Sequence, residues 1–193
     1  NSPGKIVITT HRSPDGDAIG SSLAVYHWLK AMGHDARVVV PNQYPTFLKW
    51  SPGNETVVIF EEQETEATEL VREADIIFCL DYNALHRMER LGKVVADTGC
   101  LRVLIDHHQQ PEKIARYMVS DVTASSTCEL VFEFIEAISG TDVISVDIAS
   151  MIYLGIMTDT GSFRFGSTTA RTHRIAAQLM DTGLKADEIH NLV

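Results

Sequence analysis

Leu101-Arg102-Val103-Leu104-Ile105-Asp106-His107-His108 decides how this chain is read. The apolar residues Leu101, Val103, Leu104 and Ile105 read as a short buried strand, which delivers a carboxylate and two imidazoles at its C-terminal end. In an open α/β sheet that edge is where ligands bind. Side chains alternate along an extended backbone, so neighbouring residues here cannot all point one way. At least one histidine should face the sheet edge and any metal held there, while the other does a different job. Taken alone, Asp106-His107-His108 reads equally well as an ordinary polar turn. The rest of the chain decides between the two.

Upstream, the same arrangement recurs. Lys5 to Thr10 is continuous and β-branched, the pattern of a buried parallel strand, and it runs into His11-Arg12-Ser13-Pro14-Asp15-Gly16-Asp17. Pro14 and Gly16 make this a tight loop. Asp17 is expected to cap a helix over about Ala18 to Met32, with Ile19, Leu23, Tyr26 and Leu29 at helical spacing and Gly33 as its stop. His11, Asp15 and Asp17 place one nitrogen and two carboxylates on one strand-to-helix loop, a mixture that suits hard to borderline divalent cations. The plainer alternative is an Asp15-Gly16 turn with Asp17 as a cap. Gly20-Ser21-Ser22 lacks the Gly-Lys-Ser/Thr of a phosphate-cradling Walker loop.

Ala36 to Val40 and Val57 to Phe60 read as further strands, and Pro45 to Trp50 as a short helical piece with Phe47, Leu48 and Trp50 packed inward. Glu61 to Glu73 reads as a solvated acidic helix face. Asp75 to Asp81 is a strand that stays apolar until Asp81, again at the C-terminal end. Leu85 to Val95 reads as helix, with His86 and Arg87 exposed. Downstream, Ser125, Ser126 and Thr127 put hydroxyls and N–H groups at the start of a helix over about Cys128 to Ile138. That is an anion site in principle, or plain capping. Val146 to Met157 is an apolar helix that leads to Asp159 and to Phe163-Arg164-Phe165, where Arg164 could hold a phosphate oxygen or pair with a surface acid. Thr168 to Met180 and Ala186 to Val193 complete the helices.

The 193 residues suffice for one α/β domain with a real core. A formal net charge of -10 argues against non-specific coating of nucleic acid. Three widely spaced cysteines argue against a disulfide framework and for a reducing compartment, with Cys79 and Cys128 expected in the core. No apolar run is long enough to span a bilayer and no secretory leader is visible, so a cytoplasmic protein with no membrane partner is expected. The opening Asn1-Ser2-Pro3-Gly4, without Met, suggests that the natural start lies upstream.

His11/Asp15/Asp17, Asp81, Asp106/His107/His108 and Asp159 thus form four acidic clusters at strand or helix ends. Brought together by α/β units, their carboxylates would repel, and buried unpaired charge is costly. Divalent cations resolve the conflict. The ligand count suffices for two ions sharing one carboxylate, a clamp suited to phosphoryl chemistry with an activated water as nucleophile. Ligation by His and Asp without thiolate favours Mn²⁺, with Mg²⁺ or Co²⁺ as alternatives.

His11-x-x-x-Asp15-x-Asp17, Asp81, Asp106-His107-His108 and Thr158-Asp159-Thr160-Gly161, in that order, resemble the motifs of the DHH phosphoesterase family. That family includes RecJ-like exonucleases, exopolyphosphatases, family II inorganic pyrophosphatases and bacterial nano-RNA hydrolases. The stretch Thr158 to Thr169 is most similar to the oligoribonuclease/pAp-phosphatase subgroup. The resemblance covers essentially the whole chain. It implies a Rossmann-like α/β domain over 1–193, mainly a parallel sheet with helices on both faces. It also implies one metal on His11, Asp15 and Asp81 and a second on Asp17, Asp81, His107 and Asp159, with Asp81 bridging. His108 would face the substrate phosphate, and Asp106 would orient the histidines. Ser125, Ser126 and Arg164 are the candidate substrate contacts. Ser13 departs from the Asn often found there in the subgroup.

The resemblance further implies a C-terminal substrate-binding domain, which is not in this chain. Its expected partners are therefore short single-stranded RNA or a small nucleotide, that missing domain, and a second copy of the chain as a homodimer. The leading expectation is a Mn²⁺-dependent phosphoesterase acting on short oligoribonucleotides or 3′-phosphoadenosine 5′-phosphate. The alternatives are a linear or cyclic dinucleotide phosphodiesterase (pApA, cyclic di-AMP) and, in another class, a non-catalytic nucleotide-binding or scaffold domain.

Overall fold

The computed structural model describes residues 4–193. Six strands form one sheet: β1 (Lys5–Thr9), β2 (Asp35–Val40), β3 (Val58–Ile59), β4 (Ile76–Leu80), β5 (Leu101–Asp106) and β6 (Tyr117–Ser120). Their order is β3-β2-β1-β4-β5-β6, and every pairing is parallel. The helices are α1 (Gly16–Ala31), α2 (Glu64–Glu73), α3 (Arg90–Ala96), α4 (Thr127–Ser139), α5 (Val146–Asp159), α6 (Ala170–Asp181) and α7 (Ala186–Leu192).

Alternation along the strands creates two cores. Ile6, Ile8, Leu80 and Ile105 pack with α1, α4 and α5 on one face of the sheet. Val7, Ile77, Cys79 and Leu104 pack with α2 and α3 on the other. Burial on both faces is why these strands are apolar at nearly every position. The chain winds outward from β1 to β3 and then returns to place β4 on the other side of β1. The C-terminal ends of β1 and β4 therefore flank a topological switch point, where the following loops part and leave a crevice.

α1 lies between the sheet and α5, and most of its circumference is buried. Gly20 and Gly155 permit this. A Cβ on Gly20 would lie 2.5 Å from the Met151 carbonyl oxygen. A Cβ on Gly155 would lie 2.2 Å from Cys128 Sγ and 2.6 Å from Asp17 Oδ1. Gly155→Ala is thus expected to force α5 away from α1 and α4, costing about 3 kcal/mol by overpacking. Calorimetry should show a fall in Tm of roughly 6–12 °C. An unchanged Tm would mean that the three helices separate at little cost.

The structure alters several local expectations. Asp15, not Asp17, caps α1, accepting from the N–H groups of Asp17 and Ala18 (3.0 Å each), so the helix starts at Gly16. The helix expected over Leu85 to Val95 is broken at Glu89, whose φ is 50°. Of the piece expected at Pro45 to Trp50, Leu48 is buried but Phe47 is exposed. β6 carried no apolar run by which to foresee it, because it is an edge strand with Tyr117, Met118 and Ser120 exposed. Cys79 and Cys128 are buried and unpaired. No helix among the described residues is long and apolar enough to cross a membrane.

Candidate metal centre

The loops after β1, β4 and β5 and the ends of α1, α4 and α5 meet at the switch point. There the structure brings His11, Asp15, Asp17, Asp81, His107, His108 and Asp159 into three overlapping groups. Within each group the potential ligand atoms lie within 4.8 Å of one another. His11, Asp15 and Asp81 form one group, Asp17, His107 and Asp159 a second, and Asp81, His107 and His108 connect them.

Asp81 is the shared member. Its Oδ2 lies 3.3 Å from His11 Nε2, while its Oδ1 lies 3.7 Å from His107 Nε2. The residue follows β4 directly and has a φ of 63°. Asp is among the few residues that tolerate this left-handed region, at about 1 kcal/mol.

The imidazoles are held in defined tautomers. His11 Nδ1 lies 2.8 Å from the Arg12 carbonyl oxygen, an acceptor, so this nitrogen carries a proton, while Nε2 faces Asp81, donating to it when the ring is protonated and able to ligate a cation when it is not. Asp106 Oδ1 lies 2.7 Å from His108 Nδ1, which likewise leaves His108 Nε2 free at the other end of the ring. His107 reaches the same Asp81 oxygen through its Nε2, where His108 reaches it through Nδ1. Its Nε2 lies 3.3 Å from Asp159, 3.7 Å from Asp81 and 3.9 Å from Asp17. The two rings thus turn different nitrogens toward the cluster, and Asp106 is hydrogen-bonded to His108 alone. Its other oxygen is buried without a hydrogen-bond partner.

Asp17 lies deepest. It accepts from the backbone N–H of Thr127 (2.6 Å) and of Cys128 (2.9 Å) at the start of α4. The anion that this helix start binds is thus the protein's own carboxylate. Ser126 caps α4 through the Glu129 N–H (3.1 Å), and Ser125 donates to Glu129 Oε2 (2.5 Å). Both serines are buried, and their hydroxyls are committed to the fold rather than presented to a substrate. Arg164 is exposed, with Nε donating to the Gly161 carbonyl oxygen (2.6 Å). Thr127, one residue beyond the two serines, is the one that touches the site: its hydroxyl donates to Asp81 Oδ1 at 2.9 Å. The Ser-Ser-Thr run pointed to the correct helix start, but which hydroxyl faces the crevice depends on how α4 packs.

Electrostatics shows what the cluster lacks. Burial, then the charges of Asp81 and Asp159, push Asp17 well above the ordinary carboxylate range, despite its two N–H donors. Burial, then Asp81 and Asp15, push Asp159 up to about 7. As the last residue of α5, Asp159 also sits at the unfavourable negative end of a helix. Burial would raise Asp81 as well, but the hydrogen bond to His11 and the nearby histidines hold it below the usual range. For His11 burial acts downward and is outweighed by Asp81, leaving a net rise. The donors are oxygen and nitrogen, and among the described residues the ion-pair partners of Asp15, Asp17, Asp81 and Asp159 are histidines alone, which leaves several of the carboxylates underneutralised. This donor set fits divalent cations.

A stability prediction follows for the metal-free protein. Asp159 in the folded state keeps a proton that the unfolded chain loses near pH 4, so stability falls as pH rises toward 7 and stays low above it. His11 and His108 are also raised, and their contribution is lost over the next part of the scale. Chelated protein should therefore melt higher at pH 5.5 than at pH 8. Asp159→Asn should raise Tm at pH 8 by about 4–8 °C, on the order of 2 kcal/mol, while weakening metal binding. A lower Tm for this variant at pH 8 would contradict the electrostatic account.

The fold and this centre together define a parallel α/β protein with a carboxylate–imidazole site suited to divalent cations. The DHH family N-terminal domain matches residues 5–156, and the chain belongs to that family. It is 34% identical over 186 residues to the bifunctional oligoribonuclease and PAP phosphatase NrnA of Thermus thermophilus, covering 96% of this chain and 52% of that protein. It is 26% identical over 187 residues to the NrnA of Bacillus subtilis, covering 96% of this chain and 56% of that one. The crystal structure of an exopolyphosphatase-related protein from Bacteroides fragilis superimposes with a TM-score of 0.97 at 42% identity, covering 98% of this chain and 56% of that one. The chain thus spans about half the length of the curated relatives it matches.

Proposed function

We propose that this chain is the catalytic N-terminal part of a metal-dependent phosphoesterase that hydrolyses short oligoribonucleotides, 3′-phosphoadenosine 5′-phosphate, or both. The observation that carries the proposal is Asp81, whose two oxygens face two different ligand groups. A carboxylate shared in this way is what a two-ion phosphoryl clamp requires. The names of the Thermus and Bacillus relatives support the substrate class.

His11, Asp15 and Asp81 would hold one cation, and Asp17, Asp81, His107 and Asp159 the other. Mn²⁺ suits this nitrogen and oxygen set, with Mg²⁺ or Co²⁺ as alternatives. Bound there, the ions supply the Lewis acidity that phosphoryl transfer needs. The chain's own groups do the rest. Asp17 and Asp159 hold the histidine-bearing loop after β5 against α1 and α5 through His107. The hydrogen bond that His108 Nδ1 donates to Asp106, opposed by burial, raises His108, which is only half-buried. His108 is therefore protonated to a higher pH than an ordinary histidine, and its Nε2–H would serve the phosphate or the leaving oxygen. Arg164 offers the edge of its guanidinium that Gly161 does not use to an incoming phosphate. A C-terminal domain of the kind expected by resemblance would close over this edge and select the substrate.

The deciding assay uses protein loaded with Mn²⁺. It follows release of mononucleotide from two- to five-nucleotide RNA and of phosphate from pAp, with pApA as a comparison. Turnover of RNA or pAp is the expected result. Turnover of pApA alone would favour the dinucleotide reading. Stoichiometric metal with no phosphoester hydrolysed, in the full-length protein as well as in this chain, would favour a non-catalytic domain.

A further inference from the structure

We infer that Thr127 is a positioning residue that holds Asp81 in its bridging orientation, with one carboxylate oxygen turned to each ligand group. The inference rests on the two-ion reading above and assigns to that site a residue outside its ligand set.

A carboxylate on a short side chain turns about χ2, a broad two-fold torsion with no sharp minimum. To bridge, Asp81 must keep Oδ2 toward His11 and Oδ1 toward His107. Contact with His11 at 3.3 Å defines only the Oδ2 side. On the Oδ1 side the imidazole nitrogens of His107 and His108 stand off at 3.7 and 3.8 Å. Among the described residues the hydrogen bond there comes from the Thr127 hydroxyl at 2.9 Å. A carboxylate oxygen has two lone-pair directions, so Oδ1 can accept from Thr127 and still present an electron pair to a cation.

Thr127 is itself held from two sides. It is fully buried at the first position of α4, and its N–H is bonded to Asp17 at 2.6 Å. One residue thus grips a member of each ligand group: Asp17 through its backbone and the shared Asp81 through its side chain. Behind it the start of α4 is anchored to α6, because Thr172 on α6 donates to Glu129 Oε2 (2.8 Å), the oxygen that Ser125 also engages. The hydroxyl that orients Asp81 is therefore fixed by two packed helices, as expected of groups that orient metal ligands.

Thr127→Val and Thr127→Ser provide the test. Valine has the same shape, leaves Ser126 as the cap of α4 and keeps the N–H bond to Asp17, so it removes only the hydroxyl bond. Mn²⁺ titration by calorimetry should show two ions in the unaltered protein, with one of the two sites weakened about 10-fold or more in Thr127→Val. Electron paramagnetic resonance should show a spin-coupled Mn²⁺ pair in the unaltered protein and in Thr127→Ser, and a diminished coupled signal in Thr127→Val. Circular dichroism establishes that both variants fold. If Thr127→Val binds two ions with the original affinity and coupling, Thr127 has no positioning role and the two-ion reading stands. If the unaltered protein binds no second ion, the two-ion reading fails, and this inference with it. If Thr127→Val does not fold, Thr127→Ala with the same two readouts takes its place.

Discussion

Asp81→Asn should reduce the proposed hydrolysis by ~10²–10³-fold, the loss typical when an electrostatic contributor is removed from a preorganised site. The variant should nevertheless fold. Asn tolerates the left-handed backbone that position 81 adopts. Its carbonyl oxygen can accept from Thr127, and its amide can donate to His11 Nε2, which carries a lone pair in the neutral ring because Nδ1 is committed to the Arg12 carbonyl. The metal-free structure is therefore nearly satisfied, while the second anionic oxygen and its charge are gone. Tm of the chelated protein should change little, since removing the charge relieves Asp17 and Asp159 but also takes away the anion that the three histidines stabilise. Metal stoichiometry should fall from two toward one. Turnover within a factor of ten of the unaltered enzyme would exclude Asp81 as the shared ligand.

His108→Gln should lower kcat by about 10²–10⁴-fold, the usual contribution of a positioned acid or base, while leaving metal stoichiometry intact. His108 is tied to Asp106 at 2.7 Å, and this bond, opposed by burial, keeps it protonated at higher pH than an ordinary histidine. A group that must hold a proton makes the alkaline limb of the pH–rate profile, and that limb should disappear in the variant. The defect should also shrink with a 4-nitrophenyl phosphodiester, whose leaving group needs no proton. Equal losses on RNA and on the nitrophenyl ester would instead place His108 in phosphate binding. Gln is preferred to Ala because Asp106 is fully buried and already has one unpartnered oxygen. Removing its only partner altogether would cost about 1–3 kcal/mol in stability and confuse the result.

The sequence by itself determined the elements and the chemistry they carry. Continuous β-branched runs such as Lys5 to Thr10 announce strands buried on both faces, because burial acts on each side chain locally. Polar residues at the ends of such runs mark the ligand edge, because a parallel sheet puts all of those ends together. His11, Asp15, Asp17, Asp81, His107, His108 and Asp159 were therefore legible before any packing was known.

Only the tertiary structure decided how these groups are held. The bonds from Thr127 to Asp81 and Asp17 join residues 46 and 110 positions apart. No local pattern encodes such pairs, since they exist only when α4 docks against α1 and the end of β4. The same dependence explains why Asp15 rather than Asp17 caps α1: Asp17 is drawn inward by the N–H groups of α4. It also explains why Ser125 and Ser126 serve Glu129 inside the fold. Burial pushes Asp159 up to about 7 because three helices and a sheet edge enclose it with other carboxylates. That charge imbalance, which a divalent cation would relieve, is a property of the assembled crevice and of no single segment of the chain.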